Sequence, residues 1–186
     1  MIKINERDDR LKKLAELKKL GINPYPAKAN KNETISKVLT DFEKLQKDKL
    51  ELKLAGRLRS LRAHGNLTFA HLQDGTGKIQ LAFSKKEIGA DSYKTFSKYI
   101  DIGDFVQITG TAFLTHNGEK SFMVKDWEIL AKAIRPLPEK WHGLSDEEEL
   151  LRKRYLDILF NPEVKEIFIK RAKFWQSIRD FLIKKD

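Results

Sequence analysis

The sequence predicts a mainly β protein, a small five-stranded barrel with helices before and after it. Three observations carry that expectation. From Leu50 the chain alternates leucine with charged residues, the period of a half-buried strand. Glycine-bearing turns at Asp74–Gly77, Asp101–Asp104 and His116–Gly118 then separate further apolar runs. The segments on either side instead repeat their apolar residues at helical spacing.

The bulk composition admits such a core. Of 186 residues, 40% are hydrophobic and 34% are charged, with the charges interleaved rather than blocked. That excludes a disordered chain, which combines low hydrophobicity with high net charge. Lysine and arginine total 37 against 27 acids, a net charge of +10 that favours a polyanionic partner. There is no cysteine, hence no disulfide framework, thiol nucleophile or zinc ribbon. The start, Met1 to Arg10, has no apolar core of the signal-peptide kind, and no apolar run is long enough to span a bilayer. A soluble, cytoplasmic protein is expected.

Taken in order, the first element is a helix from Arg7 to Leu20. Leu11, Leu14, Leu17 and Leu20 recur along it, Lys18 and Lys19 suit its C-terminal dipole, and Gly21 and Pro24 stop it. A second helix is expected from Thr34 to Leu45, with Ile35, Val38, Leu39, Phe42 and Leu45 on one face. The first strand, from Leu50, carries Arg57, Arg59 and Arg62. Strands at Leu67–Gln73 and Lys78–Phe83 follow, then a helix opened by Asp91 and bearing Tyr93, Phe96 and Ile100. Strands at Phe105–Phe113 and Ser121–Leu130 complete the set. Five strands with a helix after the third describe an OB-fold, although another small barrel or meander has the same pattern.

Beyond Arg135-Pro136-Leu137-Pro138 the chain turns helical again. Ser145 with Glu148 matches a capping box, and Leu151, Tyr155, Ile158 and Leu159 make an apolar stripe. Pro162 can open a last helix, in which Val164, Ile167, Phe168, Trp175, Ile178 and Leu182 share a face. A face this apolar needs a partner that the rest of the chain does not offer.

Chemistry of the catalytic kind is not assembled by these residues. His64, His71, His116 and His142 have no metal-ligand spacing. Gly75-Thr76-Gly77-Lys78 lacks the upstream glycine and following hydroxyl of a P-loop, and is better explained as a hairpin turn. A binding surface is easier to find. If the turn holds Asp74 to Gly77, then Gln73 faces Lys78, and Thr68, Ala70, Leu72, Ile79, Leu81 and Phe83 point inward. Phe69 and Gln80 become diagonal neighbours on the outer face. A ring that stacks on a base beside an amide that donates and accepts would make a base reader. Arg57, Arg59 and Arg62 would hold phosphates nearby. A slip of one residue would instead bury Phe69 as a core aromatic.

The wording of several segments resembles a known family. Arg10-Leu11-Lys12-Lys13-Leu14 followed by Gly21-Ile22-Asn23-Pro24-Tyr25-Pro26 is similar to the opening of class II lysyl-tRNA synthetases. Ala55-Gly56-Arg57, Phe69, Leu72-Gln73-Asp74, Gly77 and Ile79-Gln80 resemble their anticodon-binding OB-fold. Arg135 to Lys140, His142-Gly143-Leu144 and Arg154-Tyr155-Leu156-Asp157 resemble the stretch that leads into their catalytic domain.

The resemblance implies a helical extension over residues 1–49, an OB-fold anticodon-binding domain over 50–133, and over 134–186 a linker and the start of the catalytic domain. Phe174 to Ile183 is similar to the helix that begins motif 1, the dimerisation element, which is not completed by Asp186. By position it implies that Phe69 stacks on the anticodon, that Gln80 reads its middle uridine, and that Glu119 and Arg62 also contact the loop. Asn66 departs from the lysine common there, and Trp141 from the usual phenylalanine. The implied partner is lysine-accepting tRNA, with no membrane and no metal. The ATP, magnesium and lysine sites and the homodimer are expected of a full-length parent, because motifs 2 and 3 are not found here. This chain alone is expected to be inactive as a ligase. A free-standing OB-fold binder of single-stranded nucleic acid is the alternative.

Overall fold

The computed structural model describes residues 5–138 and 147–185. They divide into two compact units, with the boundary between Leu137 and Pro138. The expected cap at Ser145 and the family-like stretch from Glu139 through Trp141 to Leu144 lie outside the described residues, as does the start of the chain before Asn5.

The first unit opens with α1 (Glu6–Lys19). The Asn5 side chain accepts from the Arg7 amide, three acids occupy the first turn, and Gly21 at φ 75° follows the end. Leu17 and Arg10 are the residues α1 buries, and Leu20, expected on its apolar stripe, is 55% exposed. The second expected helix is in fact two, α2 (Ile35–Thr40) and α3 (Phe42–Asp48), with Asp41 at the join. Ile35, Val38 and Phe42 still reach one core, so the apolar period runs through a break that it does not mark.

The five expected strands are β1 (Leu52–His64), β2 (Leu67–Gln73), β3 (Lys78–Ser84), β4 (Phe105–Leu114) and β5 (Lys120–Ala131). They close a barrel in the order β1-β2-β3-β5-β4, antiparallel throughout except for the parallel β3–β5 pair. This is the OB-fold expected from the sequence. Leu50, expected to begin the first strand, stands outside β1 and is 46% exposed. Closure needs close backbone approach at Gly110, where an added Cβ would lie 2.0 Å from the Met123 carbonyl oxygen. The β4–β5 register shifts between Thr109 and that glycine.

Between β3 and β4 come α4 (Lys85–Ile88), which the sequence did not announce, and α5 (Ala90–Tyr99). Gly89, not Asp91, is the N-cap of α5. Its Phe96 ring stacks on Phe83 at 3.8 Å and meets Trp127 edge-on, so α5 plugs one end of the barrel. Tyr93 donates to the Gly65 carbonyl and shares a 2.8 Å hydrogen bond with Thr68, which satisfies both buried hydroxyls.

A charged cluster ties α1 to this body. The fully buried Lys132 ammonium contacts Asp101 at 2.5 Å, Asp104 at 2.7 Å and the Tyr99 carbonyl at 2.8 Å. From α1, Lys13 pairs with Asp101 at 2.7 Å, and Arg10 donates to the carbonyls of Ile102 and Ala133. Burial pushes the Asp104 carboxyl above its usual range, against the pull of Lys132. For Asp101 burial also pushes upward, but its hydrogen bonds and ion pairs with Lys13 and Lys132 leave it lowered.

The second unit contains α6 (Glu147–Arg152), α7 (Arg154–Phe160) and α8 (Pro162–Ile183). The stripe expected on one helix is thus split at Lys153. Asp157, which is buried, pairs with Arg154 and accepts from the Asn161 amide at 2.6 Å. Pro162 opens α8 as expected. Phe174, Trp175, Phe181 and Leu182 are each more than half exposed. Among the described residues no helix is long and apolar enough to cross a membrane.

Candidate nucleic-acid interface

The β2–β3 turn sets the geometry of the candidate site. Asp74 Oδ1 accepts from the Thr76 amide at 2.7 Å, the Thr76 hydroxyl at 2.7 Å and the Gly77 amide at 2.9 Å. Its Oδ2 accepts from the Ile35 amide at 3.0 Å, so one carboxylate both closes the hairpin and docks the start of α2. Burial pushes its pKa upward, but these hydrogen bonds outweigh that and hold it below the usual carboxylate range. The turn length then fixes the register, with Gln73 opposite Lys78, His71 opposite Gln80 and Phe69 opposite Ala82.

Side chains divide as this register requires. Thr68, Ala70, Leu72, Ile79, Leu81 and Phe83 are buried in the barrel, while Phe69, His71 and Gln80 are half-buried on the outer face. Arg62 is the direct cross-strand partner of Phe69, and Ser60 that of His71. A bulge between Leu58 and Ser60 makes this possible. In a regular strand Arg57 and Arg62 would face opposite sides of the sheet. The extra residue, Arg59, reverses the alternation and turns Arg62 to the face that holds Phe69.

A second row of polar groups runs across the same face. Ser60 Oγ lies 2.8 Å from His71 Nδ1, and His71 Nε2 lies 3.8 Å from a Glu119 carboxylate oxygen. The Glu119 carboxylate on the Nε2 side favours the tautomer with its proton on Nε2, in which Nδ1 accepts from the Ser60 hydroxyl. Burial, foremost, and the nearby Lys78 and Arg62 push the His71 pKa below its usual value, although Glu119 pulls it up. The imidazole is therefore neutral at pH 7. Gln80 Nε2 donates to Ser121 Oγ at 2.9 Å across the parallel β3–β5 ladder, and Ser121 donates to the Glu119 carbonyl at 3.1 Å. The turn from Thr115 to Glu119, with Gly118 at φ 76°, brings Glu119 to this edge.

Of the residues singled out in the sequence, Arg62, Phe69, Gln80 and Glu119 gather on one face. Arg57 stands apart, opposite Gln73 near the hairpin turn, with its guanidinium 4.4 Å over the Phe105 ring. Arg59 sits half-buried at the bulge, and burial together with Arg57 lowers its pKa. Ser60 and Ser121, which complete this row, do not stand out in the sequence. A serine in each of two apolar-alternating strands was the available signal, but their partners become visible only once the bulge and the β3–β5 pairing are known. The face can stack a planar ring on Phe69, offer amide and carboxylate groups to its edge, and set cations around it.

Comparison with known proteins agrees with this chemistry. Residues 52–130 match a family described as an OB-fold nucleic acid binding domain. The chain is 49% identical, over 95% of its length, to the lysine–tRNA ligase of Carboxydothermus hydrogenoformans, of which it spans 36%. It is 43% identical over 93% of its length to that of Pelotomaculum thermopropionicum, spanning 34% of it. For the Thermotoga maritima lysine–tRNA ligase the figures are 39% identity over 95% of this chain and 36% of the relative. The chain thus spans about a third of the curated relatives it matches. The chain is thus similar along nearly its whole length to lysine–tRNA ligases, and its barrel matches the OB-fold nucleic acid binding domain over residues 52–130.

Proposed function

We propose that this chain recognises the anticodon of lysine-accepting tRNA. In this reading the middle uridine stacks on Phe69 and meets Gln80 with its pairing edge, while Arg62 and Glu119 contact the loop beside it. Arg57 and Arg59 hold phosphates further along β1. The observation that carries the reading is the grouping of Arg62, Phe69, Gln80 and Glu119 on one outer face of a barrel whose core is filled by other residues. The net charge of +10 supports an RNA partner, because phosphate neutralisation supplies much of such affinity.

The activity of a longer protein containing this region is proposed by the same kinship. It would ligate lysine to tRNA through lysyl-adenylate, using ATP and magnesium, as a cytoplasmic homodimer. No step of that reaction is assigned to the described residues, whose part is the choice of tRNA.

The test is the binding of a labelled lysine-tRNA anticodon stem-loop at fixed salt, beside one with the middle uridine replaced. Tighter binding of the unaltered loop, lost in Phe69→Ala and Gln80→Ala, is the expected result. Equal binding of the two loops would favour a general single-strand binder that grips the backbone.

A further inference from the structure

The Gln80 amide can face a base in two orientations, and the orientation decides which base it accepts. Uridine presents a donor at N3 beside the acceptors O4 and O2. Cytidine presents an acceptor at N3 beside the amino donor at N4. On a ring held at one place by Phe69, uridine needs Gln80 Oε1 opposite N3, and cytidine needs Nε2 there.

We infer that Ser121 is a positioning residue that locks the Gln80 amide in one orientation and so makes the site select uridine over cytidine. The inference rests on the anticodon reading of Gln80 and deepens it. Ser121 is fully buried and stands directly beside Gln80 in the β3–β5 ladder. Its single hydroxyl proton goes to the Glu119 carbonyl at 3.1 Å. That carbonyl also accepts the Thr115 amide at 3.1 Å, which fixes its place in the turn. Ser121 Oγ therefore faces Gln80 with lone pairs only and takes the Nε2 hydrogen at 2.9 Å. A flipped amide would set Oε1 against those lone pairs, or force Ser121 to abandon Glu119 and leave a buried acceptor short of a partner. One Nε2 hydrogen and Oε1 remain for the base, the donor–acceptor pair that uridine complements. Glu119 thus acts here through its backbone, apart from whatever its carboxylate contacts.

The experiment measures the affinity of the intact chain for two anticodon stem-loops, identical except for uridine or cytidine at the middle position. Wild type is expected to prefer uridine. With the amide freed in Ser121→Ala, about half the molecules lose the uridine-competent orientation, so uridine binding weakens roughly twofold. Cytidine binding strengthens, and the selectivity ratio falls by about tenfold, the effect of one lost orienting hydrogen bond. Ser121→Thr keeps the hydroxyl and restores most of the ratio. A wild-type ratio retained in Ser121→Ala overturns the role of Ser121 and leaves the anticodon reading standing. No preference in wild type overturns both. If Ser121→Ala fails to fold, nuclear Overhauser contacts in wild type decide. Contacts from the Gln80 amide protons to the Ser121 methylene support the lock, and their absence sinks it.

Discussion

At the scale of single residues, Phe69 and Asp74 illustrate two different kinds of contribution. Phe69 lies outside the packed core, so truncating it should disturb binding more than folding. Loss of a base-stacking ring is worth about 1–3 kcal/mol. Phe69→Ala should therefore weaken stem-loop binding by roughly fivefold to 150-fold, with little change in thermal midpoint. A large drop in midpoint with unchanged affinity would identify the ring as structural. Asp74 has the opposite profile, because its two oxygens hold four donors that shape the turn and cap α2. Asp74→Ala should destabilise the chain by about 1–3 kcal/mol, the range for leaving such donors without a charged acceptor. The pH dependence follows from the lowered pKa. A folded-state value below the ordinary 3.8 means the contribution is complete above that value and drains away as pH falls through the folded-state pKa. Urea midpoints measured from pH 6 down to about pH 2.5 should fall less steeply for Asp74→Asn than for wild type. Parallel curves would assign the acid sensitivity elsewhere.

At the scale of elements, the charged cluster around Lys132 is the joint that seats α1 on the barrel. Removing one member of a buried ion pair leaves the other uncompensated, which destabilises by about 3–5 kcal/mol. Lys132→Met should lose that much in urea unfolding, and Lys132→Met with Asp104→Leu should recover part of it. A single variant as stable as wild type would show that Asp104 stays protonated and needs no partner. None of this joint was legible in the sequence, because Arg10, Lys13, Asp101 and Lys132 read as ordinary solvated charges until the chain ends of β5 and α5 meet. The β2–β3 hairpin, by contrast, was legible as a turn between two strands. Asp74-Gly75-Thr76-Gly77 carries its own turn chemistry, but the alternation on either side left two registers open, and the turn's hydrogen bonds to Asp74 select the one with Phe69 outside. The break at Asp41 was hidden because Val38, Leu39 and Phe42 keep helical spacing across it. The bulge at Arg59 was hidden for a related reason, since an extra residue leaves no mark on side-chain type. Phe69 and Gln80 could thus be placed on the outer face in one of the two registers only. Arg62 could be placed on β1 but its side could not, and Ser60 and Ser121 depend on pairings between distant strands.

At the scale of the whole molecule, charge and site act on different observables, and this separates the two modes of RNA binding. The surplus of ten positive charges attracts any strand, and neutralised phosphates make affinity fall with salt. For single-stranded RNA the slope of log affinity on log salt is about −0.7 for each phosphate held. Three or four phosphates held by arginines and lysines on the β1–β3 face would give a slope of roughly −2 to −3. Arg57 lies some four residues along the sheet from the Phe69 row, so in the proposed reading it meets the backbone rather than a base. Arg57→Ala should then weaken binding of uridine and cytidine loops by the same factor and make the slope shallower by about 0.7. Gln80→Ala should leave the slope alone and weaken the uridine loop selectively, because an amide on a base edge displaces no counterion. The two variants measured together at several salt concentrations make a crossed test. If Arg57→Ala alters selectivity, or Gln80→Ala alters the slope, then backbone grip and base reading are not separable on this face. The guanidinium over Phe105 would in that case be shaping the base site through the sheet rather than holding the strand beside it.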